Sequence, residues 1–531
     1  AGSNHLHVTT NEGQSWSVIS PDLTRNDPET LKSSGGPITQ DNTGVEFYGT
    51  IFAISESPFE KDLIWTGSDD GLVYLTKDAG ATWNEVTPKD APDHIMWNSI
   101  DPNPFVKGGA YIAGTAYKFG DYQPYLYETK DYGKTWSRID QGIDRDHYTR
   151  VVRADPLRQG LLYAGTEWGM YISFDDGKSW NPFQLNLPIV SIRDLHIRDN
   201  ALIVATHGRS FWMIDDLGPL QQLTSEISKE NFHLFQPKPA YRMSQSGYGR
   251  FNAKTEGENH PNGVMFDFFV KDAFKDSTIV LEILEKNGDL IQSFSTKSKD
   301  KKHLLKIDGT GNRHLWDMRY DGFKEFPGMV LYSSPNVGPK AVPGEYVARL
   351  IIAKDTSEQM IEIDKDPRLP NTEEDYQKQL DFLLAVRDRV SEAHEAILDI
   401  RKIKDDLDYI SNKIKDDETK SSLKASISAV KKDLETIENN IHQTQNRSSQ
   451  DALNYGIKVN NRLAFLLADQ QRGDFPPTDQ AIEVRQELSA ELQDQLNLFE
   501  KIKEKSLPEL SQKIQEAGIS LLQMPTKKEK P

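Results

Sequence analysis

Cysteine is absent from the 531 residues, which excludes disulfides, thiolate metal sites and cysteine nucleophiles together. No run of about 18 apolar residues occurs, so no spanning helix is expected. Positive charge is short: 63 Lys and Arg face 81 Asp and Glu, a formal net charge of −18. Such a chain repels phosphates, and nucleic acid is not an expected partner. The glycines of Gly309 to Asn312 (GTGN) lack the Lys-Ser/Thr that would make a phosphate loop. The histidines show no HxxxH pair, and the HLH of His5 and His7 supplies only two ligands. The acidic stretches DLTRNDPE and DIRKIKDDLDYI lack a glycine-centred calcium loop. Neither a metal nor a cofactor is expected. Ala1-Gly2-Ser3-Asn4 has no charged or apolar leader pattern. The first residues lie inside a repeat, so we expect an export signal upstream and an extracytoplasmic location.

That repeat is the pattern Ser/Thr-x-Asp/Asn-x-Gly-x-Ser/Thr-Trp, present as TTNEGQSW, TKDAGATW, TKDYGKTW and SFDDGKSW. Its recurring structural positions are Asn11, Gly13 and Trp16; Asp78, Gly80 and Trp83; Asp131, Gly133 and Trp136; and Asp175, Gly177 and Trp180. The tryptophans are 67, 53 and 44 residues apart, the length of a four-stranded propeller blade with variable loops. The acid accepts backbone N–H groups, the glycine supplies positive φ and the indole packs between sheets. A turn therefore explains these acids without catalysis. Each later copy follows a strand ending in small residues and a hairpin, and Ala201 to Asp215 (ALIVATHGRSFWMID) repeats the strands without the motif. The first copy has only third and outer strands, so we expect the ring to be completed by sequence upstream or by another chain.

From about Asn231 the pattern becomes short alternating strands, with turns at Asn287-Gly288, Asp308-Gly309 and Pro343-Gly344. An Ig-like β-sandwich is expected, with Trp316 and Tyr320 in its core. From Thr372 the period is helical: Leu383, Val386, Val390, Ala393, Ile397 and Ile400 share a face. Breaks fall near Asp416, Asn446 and Gly473–Pro477. The expected fold is multi-domain, mainly β then α: propeller blades over 1–225, truncated at their start; a sandwich over 226–370; a helical bundle or antiparallel coiled coil over 371–524; and a disordered tail over 525–531.

The motifs resemble the Asp-box (BNR) repeat of sialidases, xyloglucanases and sortilin-type propellers. The longer stretches WSVISPDLTRNDPE, SGGPITQDNTGVEFYGTIFAISESP, WTGSDDGLVYLTKDAGATWNEVTP and ATHGRSFWMIDDLGPL resemble large bacterial exported sortilin-like BNR-repeat proteins. GNRHLWDMRYDG, PGEYVARL and PPTDQAIEVRQELSAELQ resemble the sandwich and helical tail of that group. The resemblance implies a propeller in the C-terminal part of a longer exported protein. It carries a glycosyl hydrolase label by fold-level analogy. No sialidase-like arginine triad maps onto this chain.

If the motif turns occupy one rim, the hairpins between second and third strands occupy the other. That rim brings together acids, aromatics and arginines suited to a sugar or a peptide. The expected binding face is Tyr48, Trp97, His147, Arg150, Trp168, His207 and Arg209. Glu46, Asp70 and Glu167 are the carboxyls to test for hydrolysis, which needs two such groups flanking the scissile bond. The leading reading is a non-catalytic binding or scaffolding protein of the bacterial cell envelope with protein partners. The alternative is an exported glycoside hydrolase acting on polysaccharide. A purely structural subunit of an outer-membrane assembly is the third possibility.

Overall fold

Between residues 51 and 214 the strand-forming runs are short, rich in β-branched and aromatic residues, and joined by tight turns. Each run therefore pairs with its sequence neighbour. The computed structural model describes residues 3–36, 38–41, 47–243 and 261–519. Glu46 and the tail 525–531 lie outside them. The chain divides into two compact units, Ala1–Thr224 and Ser225–Pro531.

In the first unit, Ile51–Glu56, Ile64–Ser68, Val73–Thr76 and Asn84–Glu85 form an antiparallel meander. Met96–Pro102 to Ser137–Arg138 and Thr149–Ala154 to Asn181–Pro182 repeat it with four strands each. Ile192–Arg198, Ala201–Thr206 and Phe211–Ile214 form a three-stranded version. His7–Val8 and Ser17–Val18 supply only the outer pair of a preceding sheet. Inner strands of successive sheets pack on one another, as in consecutive propeller blades. Both faces of these sheets are covered, which is why Ala110–Ala116 (AYIAGTA) is buried throughout. Where the preceding sheet has only its outer pair, Phe52 and Ile54 stay 56% and 46% exposed.

The small-residue step in each second strand has a steric cause. A Cβ on Gly67 would lie 2.7 Å from Cβ of Trp97, and one on Gly165 would lie 2.6 Å from Cγ2 of Ile192. The glycine admits the inner strand of the next blade. Gly165→Val should overpack this contact and destabilise the unit by roughly 1–3 kcal/mol, read by chemical denaturation.

The repeated motifs close the third-to-outer hairpins. Asp78 accepts from Thr82 N (2.8 Å), Thr82 Oγ1 (2.6 Å) and Thr76 Oγ1 (2.8 Å), and Asp131 and Asp175 repeat this. In the first copy Asn11 accepts from Ser15 N at 3.0 Å. Two consecutive residues take positive φ, not the glycine alone: Ala79 and Gly80, Tyr132 and Gly133, Asp176 and Gly177. The tryptophans bind neighbouring blades through indole N–H donors. Trp83 reaches Ile19 O at 2.9 Å, Trp136 reaches Val86 O at 2.6 Å and Trp180 reaches Ile139 O at 2.5 Å.

In the second unit, Phe232–Leu234, Val264–Val270 and Gly311–Trp316 form one sheet. A second sheet runs, in spatial order, Ala240–Arg242, Asp355–Lys365, Gly344–Ile352, Ile279–Glu285 and Leu290–Ser295. Its first pair is parallel and the rest are antiparallel. Alternating residues of both sheets share a single apolar cluster that includes Trp316. Helix Glu373–Lys413 starts at a Thr372/Asp375 capping box, and its stripe from Leu383 to Ile400 is buried. Ser421–Ile441, Val459–Gln470 and Asp479–Lys501 pack against it. A π-turn at Ile502–Ser506 precedes Leu507–Glu516, where Pro508 has no N–H to continue the regular ladder.

Candidate functional site

In three of the four sheets a backbone bond sets the second-to-third hairpin beside the loop leading into the inner strand. Asp69 N donates to Thr50 O, Glu167 N to Tyr148 O and His207 N to Ser191 O, at 2.9, 3.1 and 2.9 Å. Directly after this junction every inner strand carries a bulge. The ladder skips Phe52, Asn98, Arg150 and Arg193 in the four successive sheets. A bulge re-aims its side chain, and the four residues mark one recurrent position beside the rim. Of the four, Arg150 belongs to the expected binding face; the pairing register, which a single strand does not reveal, identifies the shared position.

Rings from adjacent blades gather here. Tyr48 bonds His94 Nδ1 through its hydroxyl at 3.1 Å, and the His94 ring lies 5.9 Å from Phe119. Tyr117 and Tyr148 stack at 5.2 Å and 15°, Tyr122 tilts against Tyr148, and His147 lies 6.4 Å from Trp168. Arg150, itself buried, sets its guanidinium 5.0 and 4.9 Å from the Tyr117 and Tyr148 ring centres. Phe119, Tyr122 and Trp168 are 61%, 52% and 52% exposed, so rigidly backed rings face solvent. Phe119, Tyr122 and Asn98 were not picked out from the sequence, although the YKFGDY run was a visible aromatic cluster.

The expected carboxylates are tied into the frame. Asp70 is buried and accepts from Arg25 N at 2.8 Å and Ser68 Oγ at 2.5 Å. Its neighbour Asp69 accepts from Gly49 N and Thr50 N; burial, then the charge of Asp70, raises its pKa against those bonds. Glu167 accepts from Arg150 Nε and Nη2 (3.0 and 2.8 Å) and from Ser191 Oγ (2.8 Å). Burial works to raise its pKa, but the Ser191 and Arg150 contacts outweigh it and hold the group below the usual range. Tyr48 is pushed up to about 12, by burial first and then by Asp70 and Asp69, and stays protonated.

One expected binding residue is misplaced. Trp97 has no exposed surface; it covers Gly67 of the preceding sheet and meets Tyr127 edge-on at 5.9 Å. It is inter-blade core. His207 and Arg209 are exposed on the last hairpin. Tyr48, His147, Arg150 and Trp168 are brought together with the rings described above.

No family model matches the chain. A 109-residue stretch is 28% identical to an oligoxyloglucan-reducing end-specific xyloglucanase of Emericella nidulans, covering 19% of this chain and 13% of that protein. A probable enzyme of the same description from Neosartorya fischeri is 29% identical over 105 residues, again 19% and 13%. The chain thus matches about an eighth of the length of these relatives. Among solved structures, the GH74 xyloglucanase from Xanthomonas campestris is 12% identical, covering 67% of this chain and 50% of that one, with a TM-score of 0.29.

Proposed function

We propose that the first unit binds polysaccharide along its aromatic rim, in an exported protein of the glycoside hydrolase class. The carrying observation is the row of exposed rings Phe119, Tyr122 and Trp168 beside the Tyr117–Tyr148 stack that Arg150 backs. Flat, pre-ordered aromatic faces suit the apolar faces of pyranose rings and lose little entropy on binding. The stretch resembling xyloglucanases supports the hydrolase class over a non-catalytic scaffold. Cleavage needs an acid of raised pKa and a second carboxylate across the bond. Asp70 and Glu167 have structural duties, and the hydrolytic pair is not assigned to them.

Affinity electrophoresis in xyloglucan gels tests the binding step. Trp168→Ala and Tyr122→Ala should each weaken retardation roughly five- to tenfold with unchanged melting. Retardation that survives both substitutions would overturn the rim assignment. Release of reducing ends from the same polymer tests the class; binding without any release would return the protein to the non-catalytic reading.

We also read the two-sheet part as Ig-like. Lettered in chain order, its strands give sheets A–B–E and A′–G–F–C–C′, an arrangement that supports that topology.

A further inference from the structure

The middle two of the four successive sheets repeat one arrangement at the rim. Each has a histidine in the loop that enters its inner strand, His94 two residues before Met96 and His147 two residues before Thr149. Each also has an exposed ring on its second-to-third hairpin, Phe119 and Trp168. The two pairs match in geometry: their ring centres lie 5.9 and 6.4 Å apart and their planes are inclined by 36° and 35°. The hairpins of the flanking sheets, Asp69 to Leu72 and His207 to Ser210, carry no Phe, Tyr or Trp. The supports of the two histidines differ. Tyr48, from the loop of the preceding sheet, engages His94 Nδ1 at 3.1 Å. Tyr171, from the third strand of the same sheet, engages His147 Nδ1 at 2.8 Å, with Asp144 3.9 Å from that nitrogen. One ring placement is thus reached by two different routes, and the repeat fold alone does not account for it.

With Nδ1 engaged, Nε2 is the free nitrogen of each imidazole. It has no hydrogen-bond partner among the described residues, and both histidines are partly exposed. If the tyrosine donates to Nδ1, Nε2 carries the proton and donates; if Nδ1 donates, Nε2 accepts. A hydroxyl group serves in either case, beside an aromatic face that takes an apolar ring surface. That combination matches one pyranose unit, and it occurs twice. The Tyr117–Tyr148 stack joins the two sheets and fixes the two places relative to each other. Stacked sheets lie about 10 Å apart, near the length of a disaccharide, so one chain of about three or more units reaches both places.

We propose, resting on the polysaccharide reading of the rim, that His94 with Phe119 and His147 with Trp168 are two equivalent subsites for one linear oligosaccharide. Each imidazole Nε2 selects a hydroxyl group of the unit that lies on the neighbouring ring. Repetition makes chain length the selected property. A short sugar occupies one subsite, whereas a longer chain gains the second as an intramolecular step.

Calorimetry on the full chain with cello-oligosaccharides of two to six units tests this. Affinity should rise about tenfold or more between the disaccharide and the tetrasaccharide, and little thereafter. Phe119→Ala and Trp168→Ala should each return the tetrasaccharide to about the disaccharide affinity. His94→Phe and His147→Phe keep a ring and remove Nε2; each should weaken the tetrasaccharide about fivefold with unchanged melting. Phe119 and Trp168 are exposed, so their variants keep the test informative if a histidine variant fails to fold. Equal affinity at all lengths, or a loss from only one of the two ring variants, would overturn the paired subsites. Folded histidine variants that bind as tightly as the wild type would do the same. Retardation in xyloglucan gels alongside any of these results leaves the rim reading standing. Absence of both retardation and oligosaccharide binding at about 10 mM overturns the two together, and absence of oligosaccharide binding alone overturns the subsites.

Discussion

Trp180→Ala should destabilise the first unit by about 3–5 kcal/mol, whereas Trp16→Ala should change it by less than about 1 kcal/mol. Both occupy the same position of the same motif, so sequence alone treats them as equal. Trp180 is 3% exposed, packs among Ile139, Leu162, Ala164 and Tyr171, and donates its indole N–H to Ile139 O. Removing it opens a cavity and leaves that carbonyl without its partner. Trp16 is 50% exposed, and its loss opens nothing. Trp180→Phe separates the two parts: it keeps most of the packing and gives up the hydrogen bond, for about 1 kcal/mol. Urea unfolding followed by tryptophan fluorescence measures all three. Equal costs for Trp180→Ala and Trp16→Ala would show that the motif tryptophan serves its own hairpin rather than the joint between blades.

How much could be read beforehand depends on whether a feature is local. The motif turns, the four-strand period and the helical stripe from Leu383 to Ile400 follow from spacings within a few residues, and the structure has them where the pattern puts them. The rim required knowledge of register. Trp97 stands at the start of an inner strand and reads as a rim residue, but its pairing with Gly114 beside the skipped Asn98 makes it the joint between blades. Glu167 reads as a loop carboxylate until Arg150, 17 residues away, proves to reach it across adjacent strands. The Ser191 contact comes from the next blade. His394 was more accessible, since it lies four residues after Val390 on the buried stripe. Its partner Asn460 comes from another helix, and no local pattern links them.

Those buried histidines should make the second unit sensitive to mild acid. Asn460 Nδ2 lies 3.1 Å from His394 Nε2 and 3.2 Å from His442 Nδ1. An amide N–H₂ only donates, so both ring nitrogens act as acceptors and both rings are neutral. His394 Nδ1 then donates to Lys324 O, at 2.5 Å. The Phe326 ring meets both imidazoles edge-on. Burial lowers each pKa to about 4, with Arg401 adding to the effect at His442. His314 is lowered to about 4 by burial alone. In the unfolded chain these groups titrate near pH 6.5. Above that pH both states are neutral and nothing is lost. Between about 6.5 and 4 the unfolded chain binds protons that the folded one refuses, so stability falls with falling pH and levels off below about 4. The limit is about 3 kcal/mol per histidine, a large share of the stability of an ordinary domain. Far-ultraviolet circular dichroism follows this unit, because the long helices lie in it. Its unfolding midpoint in urea should drop steeply between pH 6.5 and 4.5. His442→Gln, which carries no titrating group, should flatten that slope by about one proton. A slope unchanged in His442→Gln, with the helices still folded, would mean that His442 is already charged in the native state and that Asn460 turns its oxygen, not its nitrogen, toward the ring.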